Sequence, residues 1–417
     1  MLMKDFLANQ ARAAKGAARI LAGVSTETKN AALMAMADAI LSRQDEILSA
    51  NAEDVKAATD KGTRKNMIDR LILNPARIES MAEGLRQTVK LPDPIGQEDF
   101  HVTRPNGLKI RRVRVPFGVV GIIYEARPNV TVDAVALCIK SGNACLLRGG
   151  SEAIRTNKVL TDILIEAATS KGIPEHAIEF IAITDRDAVV AMCRLRRLVD
   201  VIIPRGGAGL ISRVVEHSTV PVIETGTGVC HIYVDKAANF DIALPVVLTA
   251  KISRPSVCNA METLLVHKDI ALKFLPKISK MMIENGVELR GDKRSREICP
   301  NMNLATAEDW ATEYNDLILS VKVVNNIDEA IDHINEYNTN HSDAIITDDK
   351  NAAEKFQTLV DSAAVYVNTS TRFTDGFEFG FGAEIGISTQ KLHARGPMGL
   401  EALTTMKYLV DGYGQTR

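Results

Sequence analysis

The chain has 417 residues, of which 46% are hydrophobic and 24% charged; that is a globular balance, with material for two or three domains at roughly 100–200 residues each. Fifty Lys and Arg against 52 Asp and Glu leave a net charge of −2, which excludes nucleic acid as the main partner. The longest apolar stretches, such as Val119–Tyr124 and Leu198–Pro204, fall far short of the ~20 residues that cross a bilayer.

The N-terminal run MLMKDFLANQARAAKGAARI lacks the compact apolar segment of a secretory signal and reads as an Ala-rich amphipathic helix. Six irregularly spaced cysteines argue against a disulfide scaffold and for a reducing, cytoplasmic setting. Helical spacing predicts helices over Asp5–Ala22, Thr26–Ala58 and Asn66–Val89. The prolines of Leu91-Pro-Asp-Pro end that pattern. Two alternating stretches then flank Pro105-Asn106-Gly107, a hairpin-turn signal. This ribbon, 100–116, reads either as an ordinary surface hairpin or as an oligomerisation arm.

From Gly118 onward, short Val- and Ile-rich runs alternate with amphipathic segments. Val119–Tyr124, Ala144–Leu147, Ile178–Ile183, Leu198–Ile203 and Val220–Ile223 read as buried strands, with helices Thr131–Lys140, Glu152–Ala168, Asp187–Leu195 and Ala208–His217 between them. Such alternation means a parallel sheet covered on both faces. A second series runs from Ile232–Val234 to Ala364–Val367, giving a second α/β unit of similar size. We expect a cofactor domain over 1–228, a catalytic domain over 229–380, and a segment 381–417 that returns to the arm and the first domain.

No Cys-x-x-Cys, His-x-x-x-His or His-Glu-x-x-His occurs, so no metal site is expected. Among the cysteines, Cys138 and Cys145 lie in apolar runs and read as core, while Cys193 and Cys299 lack polar company. Cys258 differs, because Ser253-Arg-Pro-Ser-Val-Cys-Asn259 is a polar junction between a helix and an apolar strand. A thiol there is badly placed for packing and well placed to react, provided a helix N-terminus or a cation favours its thiolate. Both readings, nucleophile and buried structural thiol, stay open at this point.

Arg148-Gly-Gly-Ser-Glu152 and Arg205-Gly-Gly-Ala-Gly209 each follow a strand and open a helix. Backbone N–H groups at such junctions suit an anion, and an arginine at each suits an extra phosphate; glycines in tight turns are the plainer reading. Gly226-Thr-Gly228 is not a dinucleotide fingerprint, because a strand follows it. In Glu125-Ala-Arg-Pro-Asn129, at the C-terminal end of a strand, Arg127 suits a carboxylate or phosphate and the Asn129 amide suits an oxyanion. The plainer reading is a helix N-cap at Asn129 beside a solvated arginine. The long polar, Gly-rich run from Asn368 to Gly396 is expected to be functional.

Together these blocks resemble the aldehyde dehydrogenase superfamily. Pro116-Phe-Gly-Val-Val-Gly121 is similar to its first sheet strand, Asn129 falls at its oxyanion asparagine, and Gly142-Asn143 with Ser151-Glu152 resembles its cofactor-binding turn. Cys258 matches its catalytic cysteine, and Gly380–Gly386 its C-terminal glycine motif. Five blocks, 124–129, 229–235, 253–259, 324–345 and 388–403, resemble the branch that reduces an acyl phosphate. In departure from the superfamily, Gly149 and Gly150 replace a lysine and a proline, and Asn338 stands where a Gly or Ser is usual. Glu224 occupies the position of a deacylating base that a reductase does not need, and Asp316 matches the ribose-binding glutamate only loosely.

The resemblance implies an α/β aldehyde dehydrogenase-like fold, with a Rossmann-type cofactor domain, a second α/β catalytic domain and an oligomerisation hairpin. It implies NADPH-dependent reduction of L-glutamyl 5-phosphate to L-glutamate 5-semialdehyde and phosphate in proline biosynthesis. It also implies functional coupling with glutamate 5-kinase and a homodimer or higher homo-oligomer. The site residues it implies are Cys258 and Asn129 for catalysis, and Arg148, Gly149, Gly150, Ser151, Glu152, Arg205, Gly206, Gly207 and Gly226 for NADPH/NADP. Arg127, Arg372, His393 and Arg395 are the expected substrate cations. Two rivals remain: a hydrolytic relative using Glu224 as base, and a nucleotide-binding scaffold without turnover.

Overall fold

The computed structural model of this chain describes residues 3–125 and 127–417. Among them the strands run, in chain order, β1 (Glu98–Thr103), β2 (Lys109–Pro116), β3 (Val119–Tyr124), β4 (Ala144–Arg148), β5 (Ile178–Phe180), β6 (Val201–Arg205), β7 (Cys230–Val234) and β8 (Met261–His267). There follow β9 (Glu288–Gly291), β10 (Asn303–Leu304), β11 (Ile318–Val324), β12 (Ser342–Ile346), β13 (Ala364–Val367), β14 (Ile387–Ser388), β15 (Gly396–Pro397) and β16 (Thr404–Asp411). The chain forms two compact units. One holds the chain up to Thr225 together with Gly380–Gly386 and Met398–Arg417; the other holds Gly226–Phe379 and Ile387–Pro397. Residues 387–397, within the expected return segment, thus group with the second unit.

The first unit is built on a four-stranded parallel sheet, ordered β5-β4-β3-β6. All six residues of β3 are buried, as a strand covered on both faces requires. The N-terminal helix Met3–Leu21 lays Leu7, Ala11, Ala14 and Ala18 against this sheet at a 3–4-residue spacing. Where periodicity predicts one helix over Thr26–Ala58, two form, Thr26–Ser42 and Gln44–Asp60. Arg43 interrupts them and clamps its guanidinium onto Glu46 and Glu166. The third predicted helix also divides, into Lys65–Leu71 and Pro75–Lys90, because Pro75 starts a new helix that Asn74 caps by accepting from Arg77 N. Ile178–Ile183 is shorter than predicted, and Val220–Ile223 makes only a single bridge, Ile202 to Val222.

The Asn106-Gly107 turn joins β1 to β2 in antiparallel register, Thr103 opposite Lys109. Gly107 takes a φ of +89°, the conformation glycine adopts without strain. The chain's last strand, β16, pairs with the other edge of β2.

The second unit holds a seven-stranded parallel sheet, β10-β9-β11-β8-β7-β12-β13. Alternation sends Ile232, Val234, Leu264, Val266, Ala344 and Ile346 into one core, against helices Phe240–Ile252 and Lys268–Glu284. Tyr233, Leu265 and Ile345 point the other way, against Ile334 and Phe356 of helices Ile327–Tyr337 and Lys350–Leu359. Both faces are therefore dry. Among the described residues no helix is long and apolar enough to cross a membrane, and no group of three His, Cys, Asp or Glu side chains is set to hold a metal.

Candidate active site

Cys258 lies on the loop between helix Phe240–Ile252 and β8, at the edge of the sheet where β7, β8 and β12 begin. The other five cysteines are buried, whereas Cys258 keeps intermediate exposure. Its sulfur lies 3.2 Å from Nε2 of His341, the residue preceding β12. That histidine is 1% exposed. Its Nδ1 meets Ser342 Oγ at 2.8 Å and Cys230 Sγ at 3.8 Å. Ser342 Oγ continues to Thr374 Oγ1 at 2.6 Å, and Thr374 to the Tyr366 hydroxyl at 2.7 Å. Burial pushes the Cys230 thiol far above the ordinary range, with the charges of Asp343, Glu262 and Glu313 adding to the shift. Cys230 therefore stays protonated, and its sulfur hydrogen-bonds to the Cys258 carbonyl at 3.2 Å.

The loop itself is pinned by neighbours. Asn259 Nδ2 donates to the carbonyls of Arg372 and Thr374, and Thr371 Oγ1 donates to the Asn259 carbonyl. The Arg372 guanidinium bonds Asn259 Oδ1 and Ser253 Oγ, which sets a cation beside the Cys258 loop. Gly228 packs so closely that a Cβ there would lie 1.4 Å from the Cys258 carbonyl oxygen.

In the first unit, β3 leads through Glu125 to the helix Pro128–Lys140, with Arg127 as N-cap. Asn129 is thus a helical residue and not the cap; its Nδ2 donates to Asp133 Oδ2 one turn on, at 3.2 Å. Arg127 is half-buried beside it. The Arg148 guanidinium, 8% exposed, faces the carbonyls of Thr184 and Asp185, and its Nε is buried without a partner. Gly149 is pressed between Asn157 and Tyr124, a Cβ there falling 2.3 Å from Asn157 Nδ2, another buried atom without a partner. Gly150 is buried, and Ser151 and Glu152 are exposed on the turn that opens helix Ile154–Thr169.

At the second junction, Glu125 Oε1 accepts from Gly207 N at 3.1 Å, at the start of helix Ala208–His217. A Cβ on Gly206 would lie 2.6 Å from the Glu125 carboxyl carbon. The anion seated at this helix end is therefore the protein's own carboxylate. Gly226 has no Cβ because Thr389 stands 2.2 Å from where it would be.

Of the four expected substrate cations, the structure ties Arg372 to the Cys258 loop. Arg395 Nη2 is paired with Asp361 at 2.8 Å, and Lys391 with the same carboxylate at 2.6 Å, which holds Asp361 below the usual carboxylate range. His393 is exposed on the segment between them.

A model of the aldehyde dehydrogenase family matches residues 4–316 and 300–409. The chain belongs to the aldehyde dehydrogenase family. A relative from Moorella thermoacetica, named gamma-glutamyl phosphate reductase, is 58% identical over 404 residues, 97% of each chain. A relative of the same name from Clostridium acetobutylicum is 57% identical over the whole of both chains. The crystal structure of gamma-glutamyl phosphate reductase from Thermotoga maritima, 50% identical, superposes with a TM-score of 0.97 and 99% coverage of each chain. An acetylating aldehyde dehydrogenase from Geobacillus thermoglucosidasius, 16% identical over 100% of this chain and 98% of its own, shares the fold at a TM-score of 0.71.

Sequence reasoning singled out Cys258 and Arg372 within this family chain but gave His341 no role. The only signal for His341 was its place in His341-Ser-Asp343, 83 residues from the cysteine that it meets.

Proposed function

We propose that the chain catalyses NADPH-dependent reduction of L-glutamyl 5-phosphate to L-glutamate 5-semialdehyde and phosphate, through a thioester on Cys258. The observation that carries this reading is Cys258 itself, the one cysteine of six that is not buried. The names of the relatives above 50% identity supply the substrate class.

The Cys258 sulfur attacks the acyl carbon, the phosphate leaves, and a thioester forms. Both tetrahedral species on this path carry an oxyanion. The Cys258 backbone N–H and the Asn129 amide are the proposed donors; losing one such donor typically costs on the order of 10²–10³ in turnover. Arg372 is the first choice for a substrate oxyanion group, since its planar fork matches carboxylate and phosphate. Arg127, His393 and Arg395 complete the proposed set, Arg395 after exchanging Asp361 for substrate.

Of the residues expected to hold the cofactor, those around Arg148 and Gly149 fit a phosphorylated nucleotide. Arg148 Nε and Asn157 Nδ2 are buried donors without a protein partner, on either side of a Gly149 that leaves no room for a side chain. Arg148, Gly149, Gly150, Ser151 and Glu152 would hold it, with Arg205, Gly206, Gly207 and Gly226 as further contacts. When bound, the nicotinamide supplies a hydride to the thioester carbon. The chain's own part is then to let the carbon–sulfur bond break, releasing aldehyde and the Cys258 thiol.

The sheet β1-β2-β16 supports a homo-oligomer. Phe100, Arg112 and Tyr408 form one cross-strand row, and Val102, Ile110 and Val410 the next on the same face. Phe100, Tyr408 and Val410 are exposed there, and a second copy would cover them. Coupling to a glutamate 5-kinase suits a labile acyl phosphate.

One assay tests the reaction: glutamate semialdehyde with NADP⁺, with and without phosphate, on wild type and Cys258→Ala. NADPH should form only with phosphate and only in wild type. Turnover without phosphate, or in Cys258→Ala, overturns the reading.

A further inference from the structure

We infer that His341 is the acid–base partner of Cys258, holding the thiol proton as an imidazolium and passing it to the departing phosphate. This rests on the reading of Cys258 as the acyl carrier.

A free thiol near pKa 8.5 is only a few per cent thiolate at neutral pH, so the nucleophile needs a group to take its proton. Cys258 does not sit at a helix N-terminus; it lies in the turn region between helix Phe240–Ile252 and β8. What meets its sulfur is an imidazole nitrogen at 3.2 Å, within reach of direct proton exchange. The ring is oriented from its other side. Ser342 Oγ lies 2.8 Å from Nδ1, and the hydroxyls of Thr374 and Tyr366 extend the chain behind it. A nucleophile, a base within hydrogen-bond reach and a third group that orients the base are the arrangement expected of an activated thiol.

The surroundings bear on the charge of the pair. Arg372 stands near Cys258, with Arg254 and Asp375 beside Arg372, while Asp343, Glu262 and Glu313 act on the Cys230 thiol, which lies 3.8 Å from His341 Nδ1. A thiolate on Cys258 has a partner of opposite sign in Arg372, and an imidazolium on His341 can donate from Nδ1 to Ser342 Oγ.

The proton balance closes. The Cys258 S–H bond breaks and an N–H bond forms on His341. Sulfur bonds to the acyl carbon as the carbon–oxygen bond to phosphate breaks, and the imidazolium proton goes to that oxygen, giving hydrogenphosphate. After the cofactor's hydride has reduced the acyl carbon by two electrons, the carbon–sulfur bond breaks. The thiolate then recovers a proton from solvent through His341.

The test is the pH profile of Cys258 alkylation by iodoacetamide, read on the Cys258 peptide by mass spectrometry in the full-length protein without substrate. Wild type should show its inflection well below 8.5. In His341→Gln the inflection should rise toward the free-thiol value and the rate at pH 6.5 fall at least ten-fold. An ordinary thiol profile in wild type, or an unchanged profile in folded His341→Gln, overturns the inference.

Should His341→Gln not fold, ¹⁵N-histidine NMR at pH 7.5 decides with other proteins. His341 should be charged in wild type and neutral in Cys258→Ala; a neutral ring in both overturns the proposal. The two readings fail separately. Turnover in Cys258→Ala sinks the acyl carrier, whereas an inactive Cys258→Ala with an indifferent His341→Gln sinks only the proton partner.

Discussion

Lys251 Nζ and Glu262 Oε2 meet at 2.6 Å with side chains 0% and 1% exposed, and they stand at the two feet of the loop that carries Cys258. Burial pushes the Glu262 carboxyl up to about 7 and the Lys251 ammonium down. The second Glu262 oxygen accepts from Asn315 N, so the carboxylate is held from two sides. A buried pair of this kind contributes little net stability, yet removing one partner strands a charge and costs about 3–5 kcal/mol. Lys251→Met and Glu262→Gln should each lower the unfolding free energy by that order. The double variant Lys251→Met/Glu262→Gln should lose clearly less than the sum of the singles. Chemical denaturation measures all three, and simple additivity would show that the two side chains act independently.

Gly228 and Gly209 make a matched pair of tests. A Cβ on Gly228 would overlap the Cys258 carbonyl, and backbone there has no rotamer with which to give way. Its N–H also donates to Glu313 Oε1 at 2.8 Å, which fixes the strand of chain from the other side. Gly228→Ala should therefore displace the Cys258 peptide and cut turnover by 10²-fold or more, since a shift of about 1 Å in a reacting group has that effect. Gly209 is helical with nothing within 4 Å of its missing Cβ. Gly209→Ala should keep full activity and raise stability by about 0.5–1 kcal/mol. Equal activities in the two variants would refute this reading of the loop.

Glu125 invites a binding measurement. Its carboxylate occupies the positive end of helix Ala208–His217, through Gly207 N. If Gly206 and Gly207 serve the cofactor's phosphates, that charge opposes them by about 0.5–1 kcal/mol, the scale of a charge at a helix end. Glu125→Gln, which keeps an acceptor and drops the charge, should tighten NADP⁺ by about two- to five-fold in titration calorimetry. Weaker binding would remove Gly206 and Gly207 from the cofactor's contacts.

How far the sequence could be read depended on the range of the forces involved. Val119–Tyr124 and Ile232–Val234 were legible as strands because a run buried on both faces is apolar throughout. The hairpin was legible because Asn-Gly dictates its own turn. Cys258 could be singled out because a thiol in a polar junction has no local reason to be there. His341 could not, because its meeting with Cys258 is made by sheet order: β12 and β8 flank β7, and sequence does not state which strands are neighbours. The same limit hid Glu125 behind Arg205-Gly-Gly. The glycines looked like a phosphate cradle, while the carboxylate that fills it arrives from 82 residues away. Arg43 stands between two helices where local propensity alone would have continued one, and its ion pair to Glu166 is a contact 123 residues away that periodicity does not report.

His333 gives the second unit a pH dependence of predictable sign. It is 3% exposed, its ring packed against Trp310, Tyr337 and His231. Lys322 Nζ donates to its Nδ1 at 3.0 Å, so the ring must be neutral with its proton on Nε2. Burial first, then His231 and Lys322, push its pKa down to about 2. In the unfolded chain the same ring titrates near 6.5. Below pH 6.5, therefore, the unfolded state takes up a proton that the folded state refuses, and stability falls as pH falls. The loss approaches about 1.4 kcal/mol per pH unit once pH is well below 6.5, or up to about 2 kcal/mol by pH 5. His333→Asn keeps an acceptor for Lys322 and removes the titration, so its unfolding free energy should decline less steeply between pH 6.5 and 5. Denaturant midpoints for both proteins across that window measure the difference, and identical acid slopes would show that His333 is not the group responsible.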